Sequence, residues 1–135
     1  MFDVRAMLSK DRFAAHAGVT LLHVEPGLAR ARLEVGSRHM NGVGTTQGGA
    51  IFTLADFAFA AAANSTGSVA VAIDVSISFL KAVTGGVLTA EAREEAAAGR
   101  ISTTVVRVTD EAGALVALFK GTAYRRREGE GPSVA

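Results

Sequence analysis

Apolar and polar residues alternate along much of this chain, and such alternation predicts β-strands. The clearest case is 69–79, where every second residue from Val69 to Phe79 is apolar and the residues between are small or polar. The pattern places the two sets on opposite faces of one strand. Further strands are predicted at 19–24, 28–35, 87–97, 101–109 and 114–124. The turns between the last three are short enough for antiparallel hairpins.

Two segments follow a helical pattern instead. Residues 4–17 predict a short amphipathic helix, with Leu8, Phe13 and Ala14 on one face. Residues 48–64 predict a longer helix that is apolar on every side, which indicates a buried position. An antiparallel sheet must cover its apolar face with another element. We therefore predict an α+β fold in which an antiparallel sheet of five to six strands wraps around one long central helix.

The length of 135 residues predicts one domain, which we place at 1–125 with 1–17 as its N-terminal helical segment. Residues 126–135 are polar and contain glycine, and we expect them to form a disordered tail. The chain has no cysteine, which excludes a disulfide framework, a thiol nucleophile and a cysteine metal site.

The net charge and the hydropathy of the chain limit the classes of partner that we expect. The net charge of +1 gives no basis for a nucleic acid partner. The longest apolar run, 50–63, is too short for a membrane span and contains Asp56. The histidines lack a metal-ligand spacing. We expect a cytoplasmic protein that uses no metal and no membrane.

The loop that opens the long helix carries the candidate chemistry. Gly48 and Gly49 begin the helix, where backbone N–H groups lack helical acceptors and can hold a developing negative charge. Asp56 is the one carboxylate in the apolar helix, where an unpaired acid is costly. It can serve as a general base or attack a carbonyl directly, and its alternative role is to cap or pair with a neighbour. Asn41 can orient Asp56 or a water, or simply form the turn.

The spacing of these groups predicts a dimer. Gly48 and Asp56 are eight residues apart on one helix, which is roughly 12 Å along its axis. An amide and a nucleophile that act on the same carbonyl must lie much closer than this. Two such helices that run antiparallel across a two-fold axis bring Gly48 of one chain to Asp56 of the other. Each dimer then has two equal shared sites.

Several short motifs occur in order between about residue 18 and residue 125. They are Asn41, Gly44-Thr45, Gly48-Gly49-Ala50, Leu54-Ala55-Asp56, Ala63-Asn64-Ser65, Gly67, Ser76-Ile77-Ser78-Phe79-Leu80-Lys81-Ala82, Gly99-Arg100, Asp110, Gly113 and Gly121. In this order they resemble the phenylacetic-acid-degradation (PaaI-type) acyl-CoA thioesterases, which have the hotdog fold.

The resemblance implies hydrolysis of an acyl-CoA thioester to a carboxylate and free CoA, without a metal or organic cofactor. It implies a homodimer that often doubles to a tetramer. It also implies that Asp56 is the catalytic carboxylate, that Gly48 or Gly49 holds the thioester oxygen, and that Asn41 helps to place the nucleophile or the carboxylate. The chain departs from the family pattern at Gln47, where histidine is usual, and at Ala72, where some members have a hydroxyl.

Four further residues are candidates for binding the substrate. Lys81 and Arg100 can meet CoA phosphates, or be ordinary surface charges. Phe57 can line a pocket for an aromatic or medium-length acyl group, or belong to the core. Gln47 can pair with the substrate or cap the helix.

Two other functions remain open. A hotdog hydratase or dehydratase usually needs a histidine paired with an acid, and the motif has Gln47 in that place. A non-catalytic acyl-CoA-binding or sensing protein gains little from a buried acid beside an anionic ligand, so retention of Asp56 argues against it.

Overall fold

The computed structural model describes residues 2–126, so the tail predicted at 126–135 lies outside the described residues except for Arg126. The helices are α1 (Val4–Leu8), α2 (Arg12–Ala17) and α3 (Gly48–Ala63). The strands are β1 (Thr20–Glu25), β2 (Leu28–Val35), β3 (Ala70–Phe79), β4 (Gly86–Ala98), β5 (Ile101–Thr109) and β6 (Leu115–Arg125). A 3-10 turn covers Ser37–His39 in the loop before α3.

All six strands form one antiparallel sheet in the order β1-β2-β4-β5-β6-β3. Strand β3 follows α3 in sequence and lies at one edge of the sheet, next to the last strand. The inner face of the sheet packs on α3. The predicted α+β hotdog architecture, with a sheet wrapped around one central helix, is therefore confirmed.

Helix α3 contributes much of the core because most of its circumference is apolar. Its fully buried positions include Leu54 and a run of alanines near its C-terminal end. One stripe, however, stays partly open: Gly49 is exposed, and Thr53, Asp56 and Ala60 are half-buried. These residues are spaced by four, three and four, so they share one face of the helix. The prediction that α3 is buried on every side is thus too strong for a single chain.

The predicted helix over 4–17 is two helices. The break lies at Asp11, whose carboxylate accepts a hydrogen bond from the Ala14 N–H at 3.0 Å and caps the start of α2. Such a side-chain bond to the backbone favours a new helix start over continuation of the old one. The apolar periodicity alone did not reveal the break.

The strict alternation predicted for 69–79 is also interrupted. The register between β3 and β6 shifts between Ala72 and Asp74, so Ile73 is an extra residue in a bulge and is 56% exposed. Before the bulge Ala70 faces the core, and after it Val75 and Ile77 do. A bulge reverses which residues point inward, and it does so here at the edge of the sheet.

The C-terminal end of α3 is tied to the start of β3 by Asn64. Its Oδ1 accepts from the Ala70 N–H at 2.8 Å, and its Nδ2 donates to the carbonyls of Ala60 and Ala70 at 2.9 and 3.3 Å. Asn64 is only 3% exposed, so these bonds satisfy a buried amide. They fix where the edge strand begins relative to the helix.

Replacing Gly121 with alanine should destabilise the fold by about 1–3 kcal/mol, because atoms added to a packed core displace their neighbours. A Cβ at Gly121 would lie 2.6 Å from Cε1 of Phe59, whose ring packs on Phe119. Urea unfolding measures the loss.

The matched control for this change is Gly85→Ala, because a Cβ at Gly85 meets no atom of residues 2–126 within 4 Å. It should alter the free energy of unfolding by less than about 0.5 kcal/mol. Equal stability of the two variants would contradict the packing of Phe59 on Gly121.

Candidate active site

The N-terminus of α3 lies between two clefts, and the two glycines face different ones. Gly48 borders a cleft of about 380 Å³ together with Asn41, Phe79 and Lys81, which we call the Gly48 cleft. The Phe79 ring lies over Gly48, so that a Cβ there would be 3.0 Å from Cζ. Gly49 borders a cleft of about 400 Å³ on the side of α2, which we call the Gln47 cleft. Both clefts therefore approach the first turn of the helix.

Gln47 is the cap of α3. Its side-chain oxygen accepts a hydrogen bond from the Gly49 N–H, and its carbonyl accepts from the Ala50 N–H at 2.9 Å. Among residues 2–126, the Gly48 N–H has no acceptor. Of the two glycines predicted to hold a thioester oxygen, Gly48 is thus the one with a free amide. Gln47 caps the helix through its oxygen, which is one of the two roles expected of it.

Asn41 shapes the loop that leads to the helix. Its Oδ1 accepts from the N–H groups of Val43 and Thr45 at 3.0 and 3.1 Å, and its Nδ2 donates to Thr45 Oγ1 at 2.8 Å. This is the turn-forming role that asparagine often takes. Asn41 also borders the Gly48 cleft, where the second proton of its amide is available to a ligand.

Asp56 is a half-buried carboxylate without a hydrogen-bond or ion-pair partner among residues 2–126. Burial, and secondarily the nearby carboxylate of Asp11, raise the pKa of Asp56 above the usual range for aspartate. Within the described part of the chain, Asp56 neither caps a neighbouring element nor pairs with an arginine. A partly desolvated acid with a raised pKa is suited to accept a proton from water.

The structure does not bring Asp56 to Gly48 within one chain. The two residues lie on the regular helix α3, eight residues apart and thus roughly 12 Å apart along its axis. Asp56 lies on the partly open stripe with Gly49 and Thr53. The two halves of the predicted site are therefore present in one chain but too far apart to act on one carbonyl.

The predicted substrate-binding residues are dispersed. Lys81 borders the Gly48 cleft and forms an ion pair with Asp110. The hydrogen bond from Lys81, followed by that from the Ala114 N–H, lowers the pKa of Asp110. Phe57 is buried, and it lines a separate cleft between the N-terminal helices and β1, away from Gly48.

Arg100 lies at the opposite end of the sheet from Gly48. It occupies the β4–β5 turn, where its Nη1 donates to the Arg125 carbonyl at 3.3 Å. Arg125 pairs with Ala70 at the start of β3, whereas Phe79, at the far end of β3, covers Gly48. Nine strand steps separate Ala70 from Phe79, which is roughly 30 Å.

Two residues near Gly48 were not among the predicted site residues. The sequence places Phe79 on the apolar face of its strand and in the motif at 76–82 without a role in the site, yet it is 52% exposed and forms a wall of the Gly48 cleft. Thr46 is buried, and both its N–H and its hydroxyl donate to the Val83 carbonyl, at 2.8 and 2.7 Å. The glycine at 48 was the available signal for Phe79, because a missing Cβ often marks close approach of another group.

His39, two residues before Asn41, has a structural role. The Gly36 N–H donates to its Nδ1 at 2.9 Å, so the ring proton is on Nε2, which donates to the Ala17 carbonyl at 2.7 Å. These bonds join the 3-10 turn to the end of α2.

Among the described residues, no group of three or more His, Cys, Asp or Glu side chains is close enough to hold a metal ion. Within residues 2–126, no helix has the length and apolar character needed to cross a membrane.

Comparison with known proteins shows the family of this chain. Residues 43–117 match the family model described as Thioesterase superfamily, and the chain belongs to that superfamily. It is 32% identical to the acyl-coenzyme A thioesterase PaaI of Escherichia coli over 124 residues, which cover 91% of this chain and 89% of that protein. The predicted resemblance to the PaaI-type family is confirmed.

Solved structures agree with this assignment. The E. coli PaaI structure aligns with a TM-score of 0.87 over 91% of this chain and 90% of that chain. The TT0310 protein from Thermus thermophilus is 39% identical, with a TM-score of 0.82 over 87% of this chain and 99% of that chain.

The replacement Asp56→Asn should stabilise the protein at neutral pH. The pKa of Asp56 is higher in the folded state than in the unfolded state, where it is about 3.9. The folded protein therefore loses stability as the pH rises from the unfolded-state pKa through the folded-state pKa. At pH 7 the wild-type protein has lost this stability because Asp56 is ionised. The Asp56→Asn variant has not lost it, because the asparagine amide stays neutral. The gain should vanish at low pH, where both states of wild type are protonated.

Urea unfolding midpoints at pH 7 and at low pH measure this difference. Asp74→Asn, which changes an exposed acid of β3, is the matched control, and at pH 7 it should stabilise the protein less than Asp56→Asn does. A loss of stability in Asp56→Asn at pH 7 would show that the carboxylate has a favourable partner in the folded protein.

Proposed function

We propose that this protein hydrolyses an acyl-CoA thioester to a carboxylate and free CoA, at two sites shared between the chains of a homodimer. The observation that carries the proposal is the pair of unused groups on α3. The Gly48 N–H has no acceptor within residues 2–126, and the Asp56 carboxylate has no partner in the same part of the chain. One can stabilise an oxyanion, and the other can activate water.

The chemistry follows from these two groups. The thioester oxygen accepts a hydrogen bond from the Gly48 N–H, which stabilises the charge that develops when the carbonyl carbon is attacked. Asp56 of the other chain removes a proton from a water, whose oxygen forms the new bond to carbon. The intermediate then expels the CoA thiolate, which takes up the proton. Direct attack by Asp56, giving an anhydride that water opens, yields the same products.

The helix geometry fixes where the two chains must meet. If Gly48 of one chain lies opposite Asp56 of the other, the two-fold axis crosses α3 at the midpoint, near Phe52. Because the Gly48 end of α3 lies at the Phe79 end of β3, the same axis crosses the edge strand in its Phe79 half. Strand β3 is at the sheet edge and so has backbone groups available to pair with a second copy.

The same symmetry brings distant residues together. The Ala70 end of one β3 approaches the Phe79 end of the other, and so Arg100 of one chain lies nearer the Gly48 cleft of its partner than that of its own chain. This position suits contact with a CoA phosphate. A tetramer made of two such dimers is compatible with this arrangement, but the proposal requires only the dimer.

Release of free thiol from a panel of acyl-CoAs is the direct test. Wild type should release thiol from at least one member, and Asp56→Ala should lower kcat/KM by at least about a hundredfold, the scale of a lost general base. Binding of acyl-CoA without thiol release would favour the sensing function instead. Hydration of an enoyl-CoA without thiol release would favour the hydratase.

Mixed dimers test the sharing of sites. Asp56→Asn and Gly48→Val should each be inactive alone, the latter because its side chain meets the Phe79 ring. When the two are refolded together at equal amounts, half of the dimers are mixed and each has one intact site, so about a quarter of wild-type activity should return.

Gly42→Val is the matched control, since a Cβ at Gly42 has no neighbour within 4 Å in the described part of the chain. It should remain active alone. Failure of the Asp56→Asn and Gly48→Val mixture to recover activity, when mass spectrometry shows that mixed dimers formed, would exclude a shared site.

A further inference from the structure

The Gln47 cleft has apolar walls and a small set of polar groups. It lies between α2, the 3-10 turn and the first turns of α3. Phe13, which is 74% exposed, stands at its mouth, and Met40 and Ala50 line it further in. It borders Gly49, which follows Gly48 in the first turn of α3. A cleft of about 400 Å³ is large enough for a medium-length or aromatic acyl group.

Several polar groups of this cleft are already engaged. The Thr53 hydroxyl donates to the Gly49 carbonyl at 2.7 Å, and the Gly49 N–H is taken by Gln47. Both ring nitrogens of His39 have backbone partners. His16 is exposed at the rim. Among the described residues that line the cleft, the polar side chains that remain for a ligand are those of Gln47 and Arg38, both of which are exposed to solvent in the single chain.

Both of these side chains present donors. The Gln47 oxygen is bound to the Gly49 N–H, which leaves the NH₂ group, with two protons and no acceptor capacity, for a ligand. Arg38 donates through Nη1 to the His16 carbonyl at 3.0 Å, and its other N–H groups are donors as well.

We propose that the Gln47 cleft receives the acyl group of the substrate and selects acyl chains that carry a hydrogen-bond acceptor oxygen, which the Gln47 amide and the Arg38 guanidinium bind. This inference rests on the proposed thioester hydrolysis. An acyl chain made only of hydrocarbon displaces water from these donors and does not replace the hydrogen bonds that the water made, so binding of such a chain is disfavoured. An ether, keto or hydroxyl oxygen at the right place along the chain restores them.

The test compares octanoyl-CoA with a series in which an ether oxygen replaces one methylene beyond the second carbon from the carbonyl. The compounds have the same length and differ by one acceptor. One member of the series should be cleaved with a kcat/KM about three- to tenfold above octanoyl-CoA, the scale of one hydrogen bond. If no position of the oxygen is favoured, the inference is wrong.

Two variants assign the preference to its residues. Gln47→Glu keeps an oxygen for the Gly49 N–H but removes the donor, and Arg38→Met keeps the aliphatic stem but removes the guanidinium. The ether-to-alkyl ratio should fall toward one in at least one of them. The ether-to-alkyl ratio should stay unchanged in Thr53→Val, because the Thr53 hydroxyl already donates its proton to the Gly49 carbonyl. A ratio that persists in both Gln47→Glu and Arg38→Met overturns the proposal.

Binding distinguishes this inference from the proposed hydrolysis. Thioether analogues of the same acyl-CoAs cannot be cleaved, and calorimetry measures their dissociation constants. Tighter binding of the ether-containing analogue that is lost in Gln47→Glu or Arg38→Met supports the selectivity, even when wild type cleaves none of the thioesters. Cleavage that depends on Asp56, with no preference in rate or binding, supports the hydrolysis and overturns the selectivity.

Discussion

Helix α3 is held at both ends by hydrogen bonds from buried polar side chains, and the geometry of the candidate site depends on this. Before its first turn, Thr46 donates twice to the Val83 carbonyl. After its last turn, Asn64 bonds to both backbone groups of Ala70. Between these points the helix packs against the inner face of the sheet. A helix fixed in this way has little freedom to slide or tilt, so its free amide and its carboxylate keep constant positions relative to the sheet.

Small side chains allow the helix and the sheet to approach closely. Gly121 leaves space on β6 for the ring of Phe59, and that ring in turn packs on Phe119 with a centroid distance of 5.5 Å. The alanines in the C-terminal half of α3 have the same effect along the rest of the contact. Tight packing of this kind resists deformation, which is what a site needs when its two halves must meet across an interface.

Much of this fold could be predicted from sequence because its strongest signals are local. Six alternating segments and one long apolar helix are enough to predict a sheet around a helix. The bulge at Ile73 could not be predicted, because an extra residue changes the inward face without changing the composition of the strand. The break at Asp11 and the roles of Gln47 and Asn41 each depend on one or a few hydrogen bonds. A residue just before a helix can cap the helix or face a ligand, and the sequence is the same in both cases. Phe57 shows a related limit, since a helix that is apolar all round gives no indication of which phenylalanine borders a cleft.

Asp56 links the electrostatics of one chain to the assembly of two. In a single chain it is partly desolvated near the like charge of Asp11, and both effects raise its pKa and disfavour its ionised form. In the proposed dimer its neighbour across the axis is the N-terminus of the partner helix, where unpaired N–H groups and the helix dipole favour a negative charge. Pairing of the two chains would therefore offset part of the cost of burying this carboxylate. The same contact would lower the pKa of Asp56 relative to that in the single chain, and so favour the ionised form that can accept a proton from water.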